Sequence, residues 1–366
     1  MTSLVVIGYG NSYLLHTLHA PASYPGYAIG IYGLVKLLSA PAGGWLLDRV
    51  RNALVVVLLF LLEVTGLFII LATHSAAGYL VGIGFLSTGV AIAWLVVFHA
   101  LGEGSDASGR GSATAYMGLT STAATGAGFG VAALIGETHF WQAAFLIAIG
   151  LASVSALFLL RAYPRRGGAS GAAARAAPAT AGLRTHAIAG VVVFGHFTVV
   201  FATVGAFGPF VLRTLDLSLL QAGLLMAPAG AIGAGSMLVA GRRSREGNRL
   251  RELAVLYAVG AASVLLLSSV GRPWVFGVVA VPLAFSIAGS QPLLNATVID
   301  LSRSVQRSGS VLGWLLFVEG LGSAVGPITM GAGISWIGIR PSILILGAVE
   351  ALLVVFTLTA SRRERL

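Results

Sequence analysis

Titratable side chains lie in the middle of long apolar runs, and these are the residues whose types could do chemistry. They are Lys36, Glu63, His196, Glu319 and Glu350. An ionisable group at the centre of a bilayer costs ~2.5–3.5 kcal/mol or more on insertion scales, so each of these residues needs a partner, a proton or a ligand. In such surroundings the available chemistry is ion pairing and proton binding.

Lys36 and Glu63 stand at equal distances along the chain from the basic turn that contains Arg49 and Arg51. Two antiparallel helices joined by that turn would place both side chains ~15–18 Å from it, at one depth. We therefore predict a buried Lys36–Glu63 ion pair. The pair could be structural, or Glu63 could carry a coupling proton. The structural role is favoured because a carboxylate held by a cation binds protons poorly.

Glu319 and Glu350 stand at equal distances along the chain from the turn between the last two predicted spans. No basic residue lies at their depth in the second half of the chain, so we expect Glu319 to be unpaired and to bind a proton readily. Glu319 is therefore the first candidate for a coupling proton. The alternative is a protonated glutamate that is hydrogen-bonded to a backbone carbonyl. His196, also at mid-depth, is either a further proton-coupling candidate or a buried core histidine.

The composition places these residues in a membrane protein. Of 366 residues, 57% are hydrophobic and only 9% are charged, too few charges to cover a soluble protein of this length. The absence of cysteine excludes disulfides and thiolate-bound metals, and the sequence has no P-loop motif. The scattered histidines and glutamates provide neither a metal site nor a nucleophile with its base. We expect no cofactor, no metal and no enzymatic activity.

The apolar runs are long enough for α-helices that cross a bilayer, which need ~20 residues each. Twelve such spans are predicted, so we expect an all-α membrane protein. Their approximate bounds are 3–20, 26–47, 53–73, 78–101, 112–135, 140–161, 187–208, 218–240, 251–270, 273–299, 309–333 and 341–360.

The net charge of +10 is an orientation signal and no sign of nucleic-acid binding. With Met1 inside, 18 of the 22 basic residues fall in cytoplasmic segments and three in outer loops. This distribution follows the positive-inside rule. It predicts a protein of the plasma (cytoplasmic) membrane with both termini cytoplasmic.

The second half of the sequence repeats features of the first half at an offset near 197. The arginine pairs at 165–166 and 362–363 each follow the last span of a six-span half. We therefore predict an N-terminal half over residues 1–162, a cytoplasmic linker over 163–185 and a C-terminal half over 186–366. Two parallel six-helix halves are typical of transporters that bind substrate near the membrane midplane.

The segment that starts at Gly44, Gly-Trp-Leu-Leu-Asp-Arg-Val-Arg-Asn, resembles motif A of the major facilitator superfamily. The resemblance implies a twelve-helix transporter that works by alternating access. It also implies a conformational latch made by Gly44, Asp48, Arg49 and Arg51, in which Asp48 faces the N-terminus of helix 11, near Ser308. We expect no second latch, because arginine replaces the acid in the matching turn after span 8.

In this family, spans 1, 4, 7 and 10 line the central cavity, and span 12 packs outside it. The resemblance therefore makes the polar and aromatic residues of those four spans the expected substrate contacts. They predict a small amphipathic or apolar organic substrate and disfavour phosphate esters and dicarboxylates. These residues are Asn11, Tyr13, Trp94, His196, Gln291 and Asn295.

Together these features predict a secondary active transporter, with proton-coupled export as the favoured function. A proton-coupled uptake symporter for a neutral metabolite and a lipid transporter of the same fold are the alternatives. The expected partners are a small-molecule substrate, protons as the coupling ion and the lipid bilayer. We expect no nucleic-acid partner and a monomeric protein.

Overall fold

The described part of the chain is built from α-helices. A computed structural model gives the arrangement of residues 10, 13–21, 23–49, 52–104, 109–135, 141–162, 183–244, 249–303 and 308–363. Within these ranges no residue belongs to a β-strand. The expected all-α membrane class is confirmed, since ten of the described helices are long and apolar enough to cross a bilayer.

The helices follow the predicted spans closely. The first span is described only over α1, a π-helical turn at Tyr13–Thr17, and its earlier residues lie largely outside the described part. The remaining helices are α2 (Tyr24–Arg49), α3 (Asn52–Thr73), α4 (Ala76–Gly104), α5 (Arg110–Ile135), α6 (Trp141–Ala162), α7 (Leu183–Pro209, extended by a π-helical turn at Phe210–Thr214), α8 (Leu219–Arg243), α9 (Arg249–Ser269), α10 (Pro273–Arg303), α11 (Ser308–Ile337) and α12 (Ile339–Arg363).

Large apolar side chains cover the outside of the helix bundle as well as its core. Phe68 is 65% exposed, Phe158 is 70% exposed and Leu352 is 71% exposed. In water this surface would be unfavourable, but hydrocarbon chains are as apolar as these side chains. The exposed apolar surface therefore fits a protein embedded in lipid.

One seam runs between α2 and α11, which pack antiparallel with unusually close backbones. A β-carbon added at Gly320 would lie 2.6 Å from the backbone nitrogen of Leu37. A β-carbon at Gly33 would overlap the backbone nitrogen of Ala324. Small residues allow such an approach, which is how helices associate in membranes without a hydrophobic driving force. The α2–α11 seam joins the predicted N-terminal half to the C-terminal half.

A second seam joins α5 to α8 and α10. A β-carbon added at Gly241 would lie 2.6 Å from the carbonyl oxygen of Gly111. The Thr114 hydroxyl donates a hydrogen bond to the carbonyl of Pro292 at 3.1 Å. These contacts lie where α8 ends and α5 begins, close to Arg242. At this end of the bundle α2, α8 and α10 end, and α5, α9 and α11 begin. We call it the basic end.

Candidate functional site

The α2–α11 seam brings together two of the buried charges. The Lys36 ammonium forms an ion pair with Oε1 of Glu319. The side chain of Lys36 is 1% exposed and that of Glu319 is 12% exposed. The Lys36 ammonium also lies 5.8 Å from the centre of the Phe197 ring, within the range of a cation–π interaction. One ion pair therefore connects α2 to α11 beside an aromatic side chain of α7.

This geometry corrects the predicted Lys36–Glu63 pair, because Lys36 pairs with Glu319. Glu63 is buried on α3 and faces α4, where a β-carbon at Gly89 would lie 2.7 Å from its Cγ. The expectation of an unpaired Glu319 is also wrong. The cations of the second half alone do not reveal the partner, because Lys36 belongs to the first half and reaches Glu319 across the seam.

The ion pair lies in the wall of a cavity of about 810 Å³. Residues of α2, α4, α5, α7, α8, α10 and α11 line the cavity, together with a few apolar residues of α9 and α12. Among the predicted contacts, Trp94, His196 and Gln291 line it. The cavity is large enough for a drug-sized molecule.

The other predicted cavity residues have different surroundings. Tyr13 is buried in an aromatic cluster, with its ring 5.2 Å from that of Phe145 and 5.6 Å from that of Trp141. Asn295 is buried on α10, one turn beyond Gln291 and outside the described lining. Asn11 lies outside the described residues.

Aromatic residues of α7 form a wall that the sequence analysis missed. Tyr32 of α2 stacks on Phe201 with ring centres 5.9 Å apart, and Phe201 stacks on Phe197 at 6.0 Å. His196 lies edge-on against Phe197 at 5.0 Å. The spacing of Phe197 and Phe201, one helical turn apart, would have shown a shared face but could not distinguish a cavity wall from the protein core.

Small residues of α8 form another part of the cavity wall. Gly223 and Gly230 line the cavity, and a β-carbon added at either position would meet no atom within 4 Å. Gly235 is equally open but is absent from the described lining. Gly223 and Gly230 therefore create volume and are not required for close helix packing. Gly233, which also lines the cavity, packs on α10, where its β-carbon would lie 3.2 Å from the carbonyl oxygen of Ala284.

The predicted latch lies at the basic end. Gly44 packs against α11, since a β-carbon added at Gly313 would lie 3.4 Å from the Gly44 Cα. The Arg49 guanidinium lies 4.6 Å from the Trp45 ring and is exposed. The Asp48 side chain and the whole of Arg51 lie outside the described part. The contact of Asp48 with α11 remains a prediction.

The turn after α8 makes a polar cluster of its own at the basic end. Arg249 Nε donates a hydrogen bond to Ser244 Oγ at 2.9 Å, and the Arg249 guanidinium forms an ion pair with Asp300. The acid that pairs with Arg249 therefore comes from the end of α10. The motif pattern of the turn does not include Asp300, which lies 51 residues beyond Arg249 in the sequence.

The Major Facilitator Superfamily sequence model matches residues 1–327 of the chain. Among solved structures, the chain is similar to the crystal structure of the human organic anion transporter MFSD10 (TETRAN), with a TM-score of 0.74 and 17% sequence identity. That match covers 96% of this chain and 89% of the other. At this identity the likeness concerns the fold alone. No curated protein matches the sequence.

Proposed function

Because the chain belongs to the major facilitator superfamily, we propose that it exports a small amphipathic or apolar organic compound in exchange for protons. The chain is an integral membrane transporter and not an enzyme. The observation that carries the proposal is the cavity of about 810 Å³ with the Lys36–Glu319 ion pair in its wall.

The cavity lining supports the substrate class. Its walls are the aromatic face of α7 and the small-residue face of α8, which together offer a large apolar surface. Trp94, Gln291 and His196 add a few polar atoms that can orient a ligand. A pocket that is mostly apolar with a few placed polar groups suits an amphipathic organic molecule.

The ion pair supports proton coupling. Binding of a proton by the Glu319 carboxylate would remove its negative charge and break the pair with Lys36. Loss of the pair would weaken the α2–α11 seam, because the Lys36 ammonium would then lack its counter-charge. A proton entering this site would thereby promote relative movement of the halves. Glu63 and His196 stay as secondary proton-coupling candidates.

The cavity extends away from the basic end. Its lining on α8 begins at Leu220, at the far end of that helix, and reaches Met237. At the basic end the halves are held together by the Gly44–Gly313 and Gly111–Gly241 contacts. Since basic loops remain in the cytoplasm, the basic end is the cytoplasmic end and the cavity extends towards the outer face. At that outer end α2 and α11 stay in contact, because a β-carbon added at Gly26 would lie 2.8 Å from the carbonyl oxygen of Pro327.

The remaining features of the proposal follow from the sequence. The halves comprise residues 1–162 and 186–366, joined by a cytoplasmic linker over 163–185. The protein acts as a monomer in the plasma membrane with both termini in the cytoplasm. The motif A residues Gly44, Asp48, Arg49 and Arg51 hold the outward-facing state closed at its cytoplasmic end.

A second candidate function is transport of a small organic monoanion. The observation that favours it is the position of Lys36 in the cavity wall. Lys36 and His196 are the two described cavity-lining residues that can carry a positive charge. When Glu319 is protonated, a carboxylate on the substrate could replace it as the partner of Lys36. The solved structure cited above is that of an organic anion transporter by its title.

The test uses the purified protein in liposomes with a proton gradient and Nile red, an apolar fluorescent dye, as the probe. The wild-type protein should move the dye against its concentration gradient when protons flow the other way. Glu319→Gln should abolish the uphill movement and keep downhill dye flux, because the glutamine cannot exchange a proton. A neutral control is Gly235→Ala, which alters an open position outside the described cavity lining.

The outcomes separate the parts of the proposal. Unchanged uphill transport by Glu319→Gln would remove Glu319 from the coupling mechanism. Failure of the wild-type protein to move the dye, together with uptake of benzoate that depends on Lys36, would favour the monoanion. Flux of a labelled phospholipid without dye transport would favour the lipid transporter, and uptake of dye in place of export would favour the symporter.

A further inference from the structure

A second carboxyl group is buried in the predicted C-terminal half, away from the ion pair. Glu350 of α12 is 3% exposed and lies against α9 at Gly260. A β-carbon added at Gly260 would overlap Oε1 of Glu350 and would lie 2.6 Å from the Ser286 hydroxyl oxygen of α10. The carboxyl therefore fills the space that the missing side chain of Gly260 leaves between three helices.

Two buried polar atoms beside this carboxyl lack hydrogen-bond partners. Within the described residues, neither Oε2 of Glu350 nor the hydroxyl of Tyr257 makes a hydrogen bond. Tyr257 is 2% exposed and lies on α9, one turn before Gly260. Buried polar atoms are nearly always paired, so two unpaired atoms in neighbouring helices call for an explanation.

Tyr257 connects the buried carboxyl to the cavity. Its ring lies 5.7 Å from that of His196, centre to centre. His196 lines the cavity. The order from the cavity inward is therefore His196 on α7, Tyr257 on α9 and Glu350 on α12. We call these three residues the buried branch.

No positive charge neutralises Glu350 in the described part of the chain. The neighbouring helices present the imidazole of His196, the phenol of Tyr257 and the hydroxyl of Ser286, which donates a hydrogen bond to the Leu256 carbonyl at 2.7 Å. The described ion pairs are those of Lys36 and Arg249, and neither involves Glu350. A carboxylate in such surroundings is strongly disfavoured relative to the neutral acid.

We propose that Glu350 is a second proton-binding site, which exchanges its proton with the cavity through Tyr257 and His196. The Tyr257 hydroxyl makes no hydrogen bond to a described residue, so in the inward step water bridges it to its two neighbours. Through these bridges the hydroxyl gives its proton to the Glu350 carboxylate and takes one from the His196 imidazolium. The phenol is restored, and the net change is the transfer of one proton from His196 to Glu350. His196 then takes a new proton from water in the cavity.

Proton binding by Glu350 involves neither the substrate nor the Lys36–Glu319 pair, so it can be measured without a transport assay. Infrared spectroscopy of the full chain in lipid nanodiscs detects the carbonyl stretch of a protonated carboxyl group. Glu350→Gln should remove a band that the wild-type protein shows at neutral pH, and Glu319→Gln should keep it. Glu252→Gln, on the first turn of α9, is the matched control and should also keep it.

Transfer to D₂O tests the route, because the band shifts when the carboxyl proton exchanges. Tyr257→Phe should slow the shift by about tenfold, since one hydrogen-bonding group is lost from the route. Tyr79→Phe is the matched control, because the Tyr79 hydroxyl is also buried without a described partner, but on α4. It should leave the exchange rate unchanged.

If Glu350→Gln does not fold, the wild-type protein answers the same question. Dicyclohexylcarbodiimide modifies protonated carboxyl groups in apolar surroundings, and mass spectrometry locates the adduct. An adduct at Glu350 that disappears at alkaline pH supports the site. Absence of that adduct, survival of the infrared band in Glu350→Gln, or equal exchange in Tyr257→Phe and the wild-type protein would each overturn the proposal.

Discussion

Replacing Lys36 with methionine leaves the Glu319 carboxylate in the α2–α11 seam without its counter-charge. Breaking a buried ion pair by removing one partner costs about 3–5 kcal/mol. The lower value applies here, because the Glu319 side chain is 12% exposed to the cavity while that of Lys36 is 1% exposed. We therefore expect Lys36→Met to lower the free energy of unfolding by about 3 kcal/mol.

Neutralising both partners should reverse most of this loss. Lys36→Met combined with Glu319→Gln leaves no charge in the seam, and paired replacements of this kind are often neutral in stability. We expect the double variant to lie within about 1 kcal/mol of the wild-type protein, which makes the coupling energy large. The matched control is Lys36→Met with Glu63→Gln, which should recover nothing because Glu63 faces Gly89 instead.

The assay is reversible unfolding in mixed detergent micelles followed by tryptophan fluorescence. Equal loss of stability in the single variant and in the Lys36→Met/Glu319→Gln double variant would refute the pair. Recovery by Glu63→Gln in place of Glu319→Gln would show that the pairing predicted from sequence is the true one.

Two glycine substitutions test the seam and the cavity wall. Gly33→Val should destabilise the protein by about 1–3 kcal/mol or more, because a β-carbon there overlaps the α11 backbone. Gly84→Val, which meets no atom, should be neutral in the same unfolding assay; equal loss in both would contradict the close seam. Gly230→Phe should fill the cavity and abolish dye transport at unchanged stability, while Gly235→Phe should keep transport. Equal transport by these two variants would exclude the cavity as the substrate route.

The sequence showed which apolar runs carry buried charges but not which charges pair. Equal distance from the turn predicts one depth for Lys36 on α2 and Glu63 on α3, but it does not make them partners. Consecutive helices need not turn their polar faces to each other, however, and α2 packs most closely on α11. Close glycines on both helices, such as Gly33 and Gly320, were a usable signal for that seam, because small residues mark helix contacts in membranes.

The cavity was predictable only in part for a related reason. Trp94, His196 and Gln291 were identified from the spans that line the cavity in the family, and they do line it. Tyr13 was assigned by the same reasoning, but its ring packs against Phe145 in a local aromatic cluster. A predicted span identifies the helix that carries a residue. The direction of the side chain depends on which neighbouring helices it can contact.

The chain contains no cysteine, so alternating access can be tested with a single introduced thiol. In Gly230→Cys, a membrane-impermeant maleimide should label the cavity from both sides of oriented vesicles, and the ratio of the two rates should change with pH. Glu319→Gln in the same background should make that ratio independent of pH. Gly235→Cys should react with the reagent from neither side. Labelling of Gly230→Cys from one side only, or an unchanged pH response in Glu319→Gln, would contradict a proton-coupled transporter that works through this ion pair.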